Sequence, residues 1–216
     1  MRTETRRIDA VTSVPLNRYV TFTVLAIGGL VWDLYSKSWV FAELGYPSGQ
    51  SQWSRDFLSG WVTMRLFTSM NEGALWGMGQ GYAWLFAALS LVAAAGILYW
   101  LFAKGAASSL WLTIALGLIM AGTLGNLYDR LGLHGCVDPR TSTTWYAVRD
   151  FLAFTFDRWS VFQFEFQRWT WPIFNFADVY LVTGTMMLFV QAFAPQPGDE
   201  DRDGSETGAP QTAAAD

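Results

Sequence analysis

"WPIFNFADVYLVTGTMMLFV", residues 171–190, decides how this chain folds. From Val179 onward it has the apolar run of a membrane span, yet its head carries Asn175 and Asp178. An unpaired carboxylate near a bilayer core is costly, so acids placed there usually have a function. The rest of the chain has to say what this one is for.

Working outward, three more segments match it. Residues 82–103, "YAWLFAALSLVAAAGILYWLFA", contain no charge in 22 residues. That length crosses a hydrocarbon core of about 30 Å at 1.5 Å per residue. Residues 109–128 form another span, polar only near their end, and residues 18–40 another, with Asp33 and Lys37 in the last third. With 174–194 these make four expected spans. The first is not a cleaved leader by pattern, since its apolar stretch runs straight into Asp33 and Lys37 with no clean small-x-small site after it. The composition agrees: 52% hydrophobic and only 15% charged residues in 216, against about 25% charged in a typical soluble domain.

The formal charge of −4 comes from the end of the chain. Residues 196–216 hold six acids and one base, and without them thirteen basic residues face twelve acidic ones. The segment has no large apolar residue and reads as a disordered acidic tail. Nothing here marks a nucleic-acid partner. The single cysteine, Cys136, allows no intrachain disulfide and has only His134 as a basic neighbour in sequence, a poor basis for a Cys/His protease.

Arg2, Arg6, Arg7 and Arg18 precede the first span, which places the N-terminus in the cytoplasm, and with four spans the C-terminus too. Asp33 and Lys37, then Asn71 and Gly73 in "NEGALWG", then Asn126, Asp129 and Arg130, then Asn175 and Asp178 all fall at the outer ends of spans. Scattered structural polar residues would not sort onto one membrane face. "NLYD" (126–129) and "NFAD" (175–178) share Asn-x-x-Asp, and on a helix i and i+3 lie on one face. Asp33 and Lys37, at i and i+4, are expected to neutralise each other at the interface. Asn126, Asp129 and Arg130 suit either a network tying loop to helix or direct substrate contact.

The outer segments are aromatic. "WVTMRLF" (61–67) alternates as a strand does. "YAVRDFLAFTF" (146–156) and "SVFQFEFQRW" (160–169), joined by 157–160, are expected to pair as an aromatic hairpin on the bilayer, or to serve as a plain interfacial belt. "VRDFL" sets Asp150 among apolar neighbours, where desolvation raises a carboxyl's proton affinity.

These segments together resemble signal peptidase II, a family of bacterial membrane aspartyl proteases. The resemblance rests on "DLYSK" (33–37), "NEGALWG" (71–77), "GTLGNLYDRLG" (122–132), "VRDFL" (148–152) and "FNFAD" (174–178), in the family's order among four spans. Each motif alone is weak; five in order are specific. It implies an intramembrane endopeptidase that removes the signal peptide of a diacylglyceryl-modified prolipoprotein, cutting before the lipidated cysteine. The catalytic aspartates it implies are Asp178 and Asp150, with Asp138 as the alternative first aspartate. Asp138 lies nine residues after Asp129 but is followed by proline; Asp150 has the Val-x-Asp-Phe context but requires an insertion before it. Asn71, Gly73, Asn126, Asp129, Arg130, Asn175, Asp33 and Lys37 are the expected substrate-binding and network residues. The resemblance implies no metal and no cofactor.

The fold expected is thus an all-α membrane protein: four transmembrane helices with a small extracytoplasmic cradle, β-rich and aromatic. Residues 1–195 make the protease domain of a monomer in the bacterial cytoplasmic membrane, touching lipid and prolipoprotein substrate, with the site near the outer face. The competing readings are a lipoprotein-binding homologue without activity, and a small transporter or assembly subunit. The latter fits poorly, because the acids sit at one face and 82–103 offers no ionisable residue for a relay.

Overall fold

The computed structural model describes residues 14–73, 79, 81–157, 159–161 and 164–193. The acidic tail, "ALWGM" of the glycine-rich segment and the side chains of 158–166 lie outside the described residues. Among the described residues, four helices are long and apolar enough to cross a membrane: α1 (Leu16–Leu44), α2 (Ala83–Leu98, continued by a π-helical turn Tyr99–Ala103), α3 (Leu110–Arg130) and α4 (Phe176–Phe193). The strands among the described residues are β1 (Gln50–Phe57), β2 (Val62–Asn71), β3 (Val148–Phe156), β4 (Trp159–Val161), β5 (Phe164–Phe166) and β6 (Trp169–Thr170). Strands stand beside the four helices, so the fold is not helical throughout. The strands build a four-stranded antiparallel sheet ordered β1-β2-β3-β6, plus a separate β4–β5 pair.

α3 is the central helix, packed against α1, α2 and α4. It buries Ala115, Leu116, Gly117, Met120, Ala121 and Gly122, while α4 buries only Ala177 and Gly184. On α4, Val182, Met186, Phe189 and Phe193 are exposed. A helix that leaves large apolar side chains uncovered is suited to lipid rather than water. Small residues bring α3 and α4 together: a Cβ added at Gly122 would meet the Ala177 carbonyl, and one at Gly184 the Ala115 carbonyl. In lipid, where apolar burial drives little association, such close backbone approach holds helices together.

The helix ends explain where the spans stop. α1 runs past its expected end to Leu44 and stops at Gly45, whose φ of 71° most residues avoid and whose N–H donates to the Phe41 carbonyl at 3.1 Å. α3 begins at Ser109, whose hydroxyl accepts from the Leu112 N–H at 3.3 Å, and ends before Gly132 at φ 70°. Asn175 and Asp178 start α4 by a reciprocal exchange: the Asp178 N–H donates to Asn175 Oδ1 at 3.2 Å, and the Asn175 N–H donates to Asp178 Oδ2 at 3.1 Å. This is a capping box. The Asn-x-x-Asp pattern at 175–178 is thus first of all a helix start.

Of the expected pairing of 146–156 with 160–169, the described residues show only its end, Phe156 opposite Trp169. β3 pairs with β2 over most of its length, with Ser69 opposite Asp150 and Asn71 opposite Val148, and reaches only β6 on its other side. β3 buries both faces from Val148 to Ala153, so it takes the central place, and β4 and β5 pair with each other. Beyond β6, an antiparallel bridge joins Leu152 to Phe174: the Leu152 N–H donates to the Phe174 carbonyl at 2.8 Å, and the Phe174 N–H returns the bond at 3.2 Å. This bridge lays the head of α4 against β3.

Gly122→Val is expected to lower the folded stability by about 1–3 kcal/mol, by overpacking the α3–α4 contact. Gly28→Ala, where an added Cβ meets nothing within 4 Å, should be neutral or better. Thermal melts of both variants in one detergent check the pair.

Candidate functional site

Lys37 lies at the centre of the site. It is fully buried, and its ammonium reaches Asp33 Oδ2 at 2.7 Å, Asp129 Oδ2 at 3.1 Å and Asn126 Oδ1 at 3.1 Å. Three acceptors match the three N–H donors of a lysine. Asp33 and Lys37 are therefore not the interfacial pair expected from their spacing. Both have no exposed surface, and the lysine joins α1 to α3. Asp33 adds a third element, because its Oδ1 accepts the Ala177 N–H of α4 at 2.9 Å.

Asp129 has a second cation. Arg149 of β3 donates from Nε to Asp129 Oδ1 at 3.0 Å, its Nη2 stands 2.9 Å from the same oxygen, and its backbone N–H donates to Oδ2 at 3.0 Å. Arg149 also reaches Ser38 Oγ at 3.2 Å. The buried cluster holds Asp33, Asp129, Lys37 and Arg149, two charges of each sign, so its formal charge cancels. Arg130, expected among the substrate-binding and network residues, lies with its guanidinium over the Phe86 ring, 5.2 Å from the centroid, in the cavity wall. Adjacent residues on a helix point about 100° apart, so Asp129 and Arg130 cannot both face the cluster. Arg149 is the residue that sequence reasoning missed. Its only signal was a charge beside Asp150 in a largely apolar strand.

On this frame rest two more carboxyls. Asn126 donates to Asp178 Oδ1 at 3.0 Å. Asn175 spends its Oδ1 on the α4 cap and turns its amide nitrogen to Asp150 Oδ1 at 2.6 Å, with Asn126 Oδ1 at 3.3 Å. Asn71 donates to Asp150 Oδ2 at 3.0 Å, and the Gly73 N–H donates to Asn71 Oδ1 at 3.1 Å, which fixes the orientation of that amide. Asp150 and Asp178 thus share a single residue, Asn175, by side chain to one and by backbone N–H to the other. Burial pushes the Asp150 carboxyl up to about 8, the nearby charge of Asp178 pushes the same way, and the Asn71 and Asn175 amides and the more distant Lys37 oppose them.

Asp138 is placed differently. Its carboxylate is held by Arg140 through Nε at 3.0 Å and Nη2 at 2.8 Å. Those bonds hold it below the usual carboxylate range. Asp138 closes its own loop by accepting from the Arg140 N–H at 2.9 Å. Asp150 and Asp178 line a cavity of about 1130 Å³ with Asn71, Asn126 and Arg130, and Val179, Val182 and Phe174 supply apolar wall. Asp138 is not among the lining residues.

A polar floor with two bridged carboxyls under an apolar cavity, at one end of a four-helix membrane bundle, can be compared with known proteins. Residues 25–194 match the family described as signal peptidase (SPase) II. The chain belongs to that family. A lipoprotein signal peptidase of Rhodopirellula baltica is 43% identical over 183 residues, 83% of this chain and 74% of that protein. One from Lactococcus lactis is 29% identical over 77% of this chain and 89% of that protein. One from Bacillus pumilus is 36% identical, but over 56% of this chain and 63% of that protein. A bacterial membrane enzyme solved by the in meso method at 2.3 Å resolution superposes with a TM-score of 0.56 at 21% identity, covering 90% of this chain and 95% of that one. A second, at 1.9 Å, gives 0.55 at 23% identity over 82% and 95%. These two bear on the fold. As a signal peptidase II family member with four apolar helices, the chain is a multi-pass bacterial membrane protein of a peptidase family.

Lys37→Met should cost about 3–5 kcal/mol, because it strands the buried Asp33 carboxylate and leaves Asp129 with Arg149 alone. Chemical denaturation in micelles reads that loss. A drop under about 1 kcal/mol would mean that water reaches the cluster.

Proposed function

We propose that this protein is a lipoprotein signal peptidase that works as an aspartyl endopeptidase, with Asp150 and Asp178 as its catalytic pair. The observation that carries this reading is Asn175, which holds both carboxyls at the floor of one cavity. Its substrate is a prolipoprotein whose cysteine already bears diacylglycerol, and the bond cut is the one before that cysteine. The apolar wall along α4 suits lipid chains, and the cavity opens beside helices that face lipid.

Two carboxyls this near each other do not both ionise cheaply, so the pair holds one proton over the working range. It titrates as a unit. The ionised member takes a proton from a water, and the water oxygen attacks the scissile carbonyl carbon. The protonated member donates a hydrogen bond to the forming oxyanion. Collapse of the tetrahedral intermediate breaks the C–N bond, and the departing amine takes up the proton. The products are a signal peptide ending in a carboxylate and a lipidated cysteine with a free amino group. Asn126, Asn175 and Asn71 hold the pair, while Arg130 stands in the cavity wall. The N-terminal arginines support an orientation with both termini in the cytoplasm and the site at the outer face.

Cleavage of a diacylglyceryl-modified prolipoprotein by the purified full chain tests the assignment. Asp150→Asn and Asp178→Asn should each lower kcat by about 10³-fold or more, the scale of losing a general acid or base. Asp138→Asn should stay within about tenfold of wild type. A dead Asp138→Asn beside an active Asp150→Asn would move the first aspartate to 138. The pH profile adds a sign. As pH rises through about 8, Asp150 loses its proton and the pair loses its acid, so activity should fall on the alkaline side.

A further inference from the structure

The excursion between α3 and β3 contains a polar cluster that the mechanism above does not use. Residues 133–147 close on themselves, with the Asp138 N–H donating to the Thr143 carbonyl at 2.9 Å and the Trp145 N–H to the Cys136 carbonyl at 2.9 Å. Asp138 takes Arg140 in a two-point grip, so the guanidinium has a fixed direction. That direction is across the cavity mouth: Arg140 Nη2 reaches Glu72 Oε1 at 2.7 Å. Trp145 Nε1 donates to the same Glu72 oxygen at 2.8 Å, and the guanidinium sits 5.6 Å from the Trp145 ring centroid. Glu72, Arg140 and Trp145 all line the cavity.

Glu72 lies between Asn71, which bonds Asp150, and Gly73, which orients the Asn71 amide. We propose that Arg140 is a positioning residue for the aspartate pair: gripped by Asp138, it holds Glu72, and Glu72 holds the backbone from which Asn71 reaches Asp150. The role rests on the reading of Asp150 and Asp178 as the working pair. It also gives Asp138 a use that needs no chemistry at the scissile bond. The Arg140 side chain is 66% exposed, and ion pairs of that kind contribute little to stability. The clamp is therefore suited to setting geometry. A shift of an ångström at a catalytic group lowers rate far more than it lowers stability.

The test uses the purified full chain and the prolipoprotein assay, reading kcat, KM, the pH profile and the melting temperature. Arg140→Gln is expected to lower kcat about tenfold, with KM changed less than about twofold and melting nearly unmoved. The alkaline limb should also move to higher pH. Asp150 is faced by Asp178 from α4, Lys37 from α1, Arg130 from α3 and the Asn71 and Asn175 amides. Of these, only the Asn71 bond depends on the clamp, and losing it weakens the ionised form. Glu72→Gln should act in the same direction, and the double variant should be no worse than the weaker single one. Arg140→Lys, which cannot grip at two points, should recover only part of the rate. Wild-type kcat in Arg140→Gln and Glu72→Gln would overturn the proposal, as would a rate loss with an unmoved pH profile, or a change in KM alone. Asp150→Asn in the same assay separates the two layers. If it is dead while Arg140→Gln is normal, the clamp alone fails. If it still cleaves, the aspartate-pair reading fails and the clamp with it.

Discussion

The buried ammonium of Lys37 is the interaction on which the rest of the site depends. It touches two carboxylates and an amide oxygen, and through them it joins α1 to α3 and, by way of Asp33, to the first turn of α4. A buried charge is tolerable only when its partners compensate the lost hydration, so these helices can approach in one register. Gly125 shows how tight that register is: a Cβ added there would run into the Asp33 carboxylate. The cost of burying four charges is met by cancelling them in place, and what results is a rigid polar floor inside an apolar bundle.

In the proposed mechanism that floor carries the chemistry. Asn126 accepts from Lys37 with its oxygen and donates to Asp178 with its nitrogen. Asn175 uses its oxygen on the helix cap and its nitrogen on Asp150. Each amide has its two ends committed, so neither is free to flip. The carboxyls are held by groups that are themselves held, and this is how a site keeps its geometry before substrate arrives. The first turn of α4 adds a further element, since a helix N-terminus is a favourable place for the carboxylate of Asp178.

The sheet solves a different problem. Asp150 comes from a strand and Asp178 from a helix, 28 residues later in the chain. The Leu152–Phe174 bridge makes them neighbours, and the β2–β3 register brings Asn71 to the same carboxyl. The Arg140–Glu72 contact fastens the open end of that arrangement at the cavity mouth. In a membrane enzyme the helices supply depth and the sheet supplies aim, because strand register fixes side-chain direction residue by residue.

The sequence by itself determined the four spans, since 20 or so apolar residues admit little else in a bilayer. It also determined that the polar residues at their ends share one side, and the five ordered motifs that placed the chain in its family. The β2 strand was legible from alternation, and Asp150 from its apolar setting. What only the tertiary structure decided is partnership. Arg149 rather than Arg130 meets Asp129, because neighbouring helical residues face apart. Asp33 and Lys37 are an inner bridge rather than a surface pair, because α3 and α4 cover them. β3 pairs with β2 for most of its length and with β6 only at its end, because its two buried faces need cover from distant segments. Asp150 and Asp178 meet over Asn175, because a bridge at Phe174 folds the chain back. Each of these depends on which distant segments touch. Periodicity and composition report how a segment meets its solvent, and they carry no information on which other segment lies across from it.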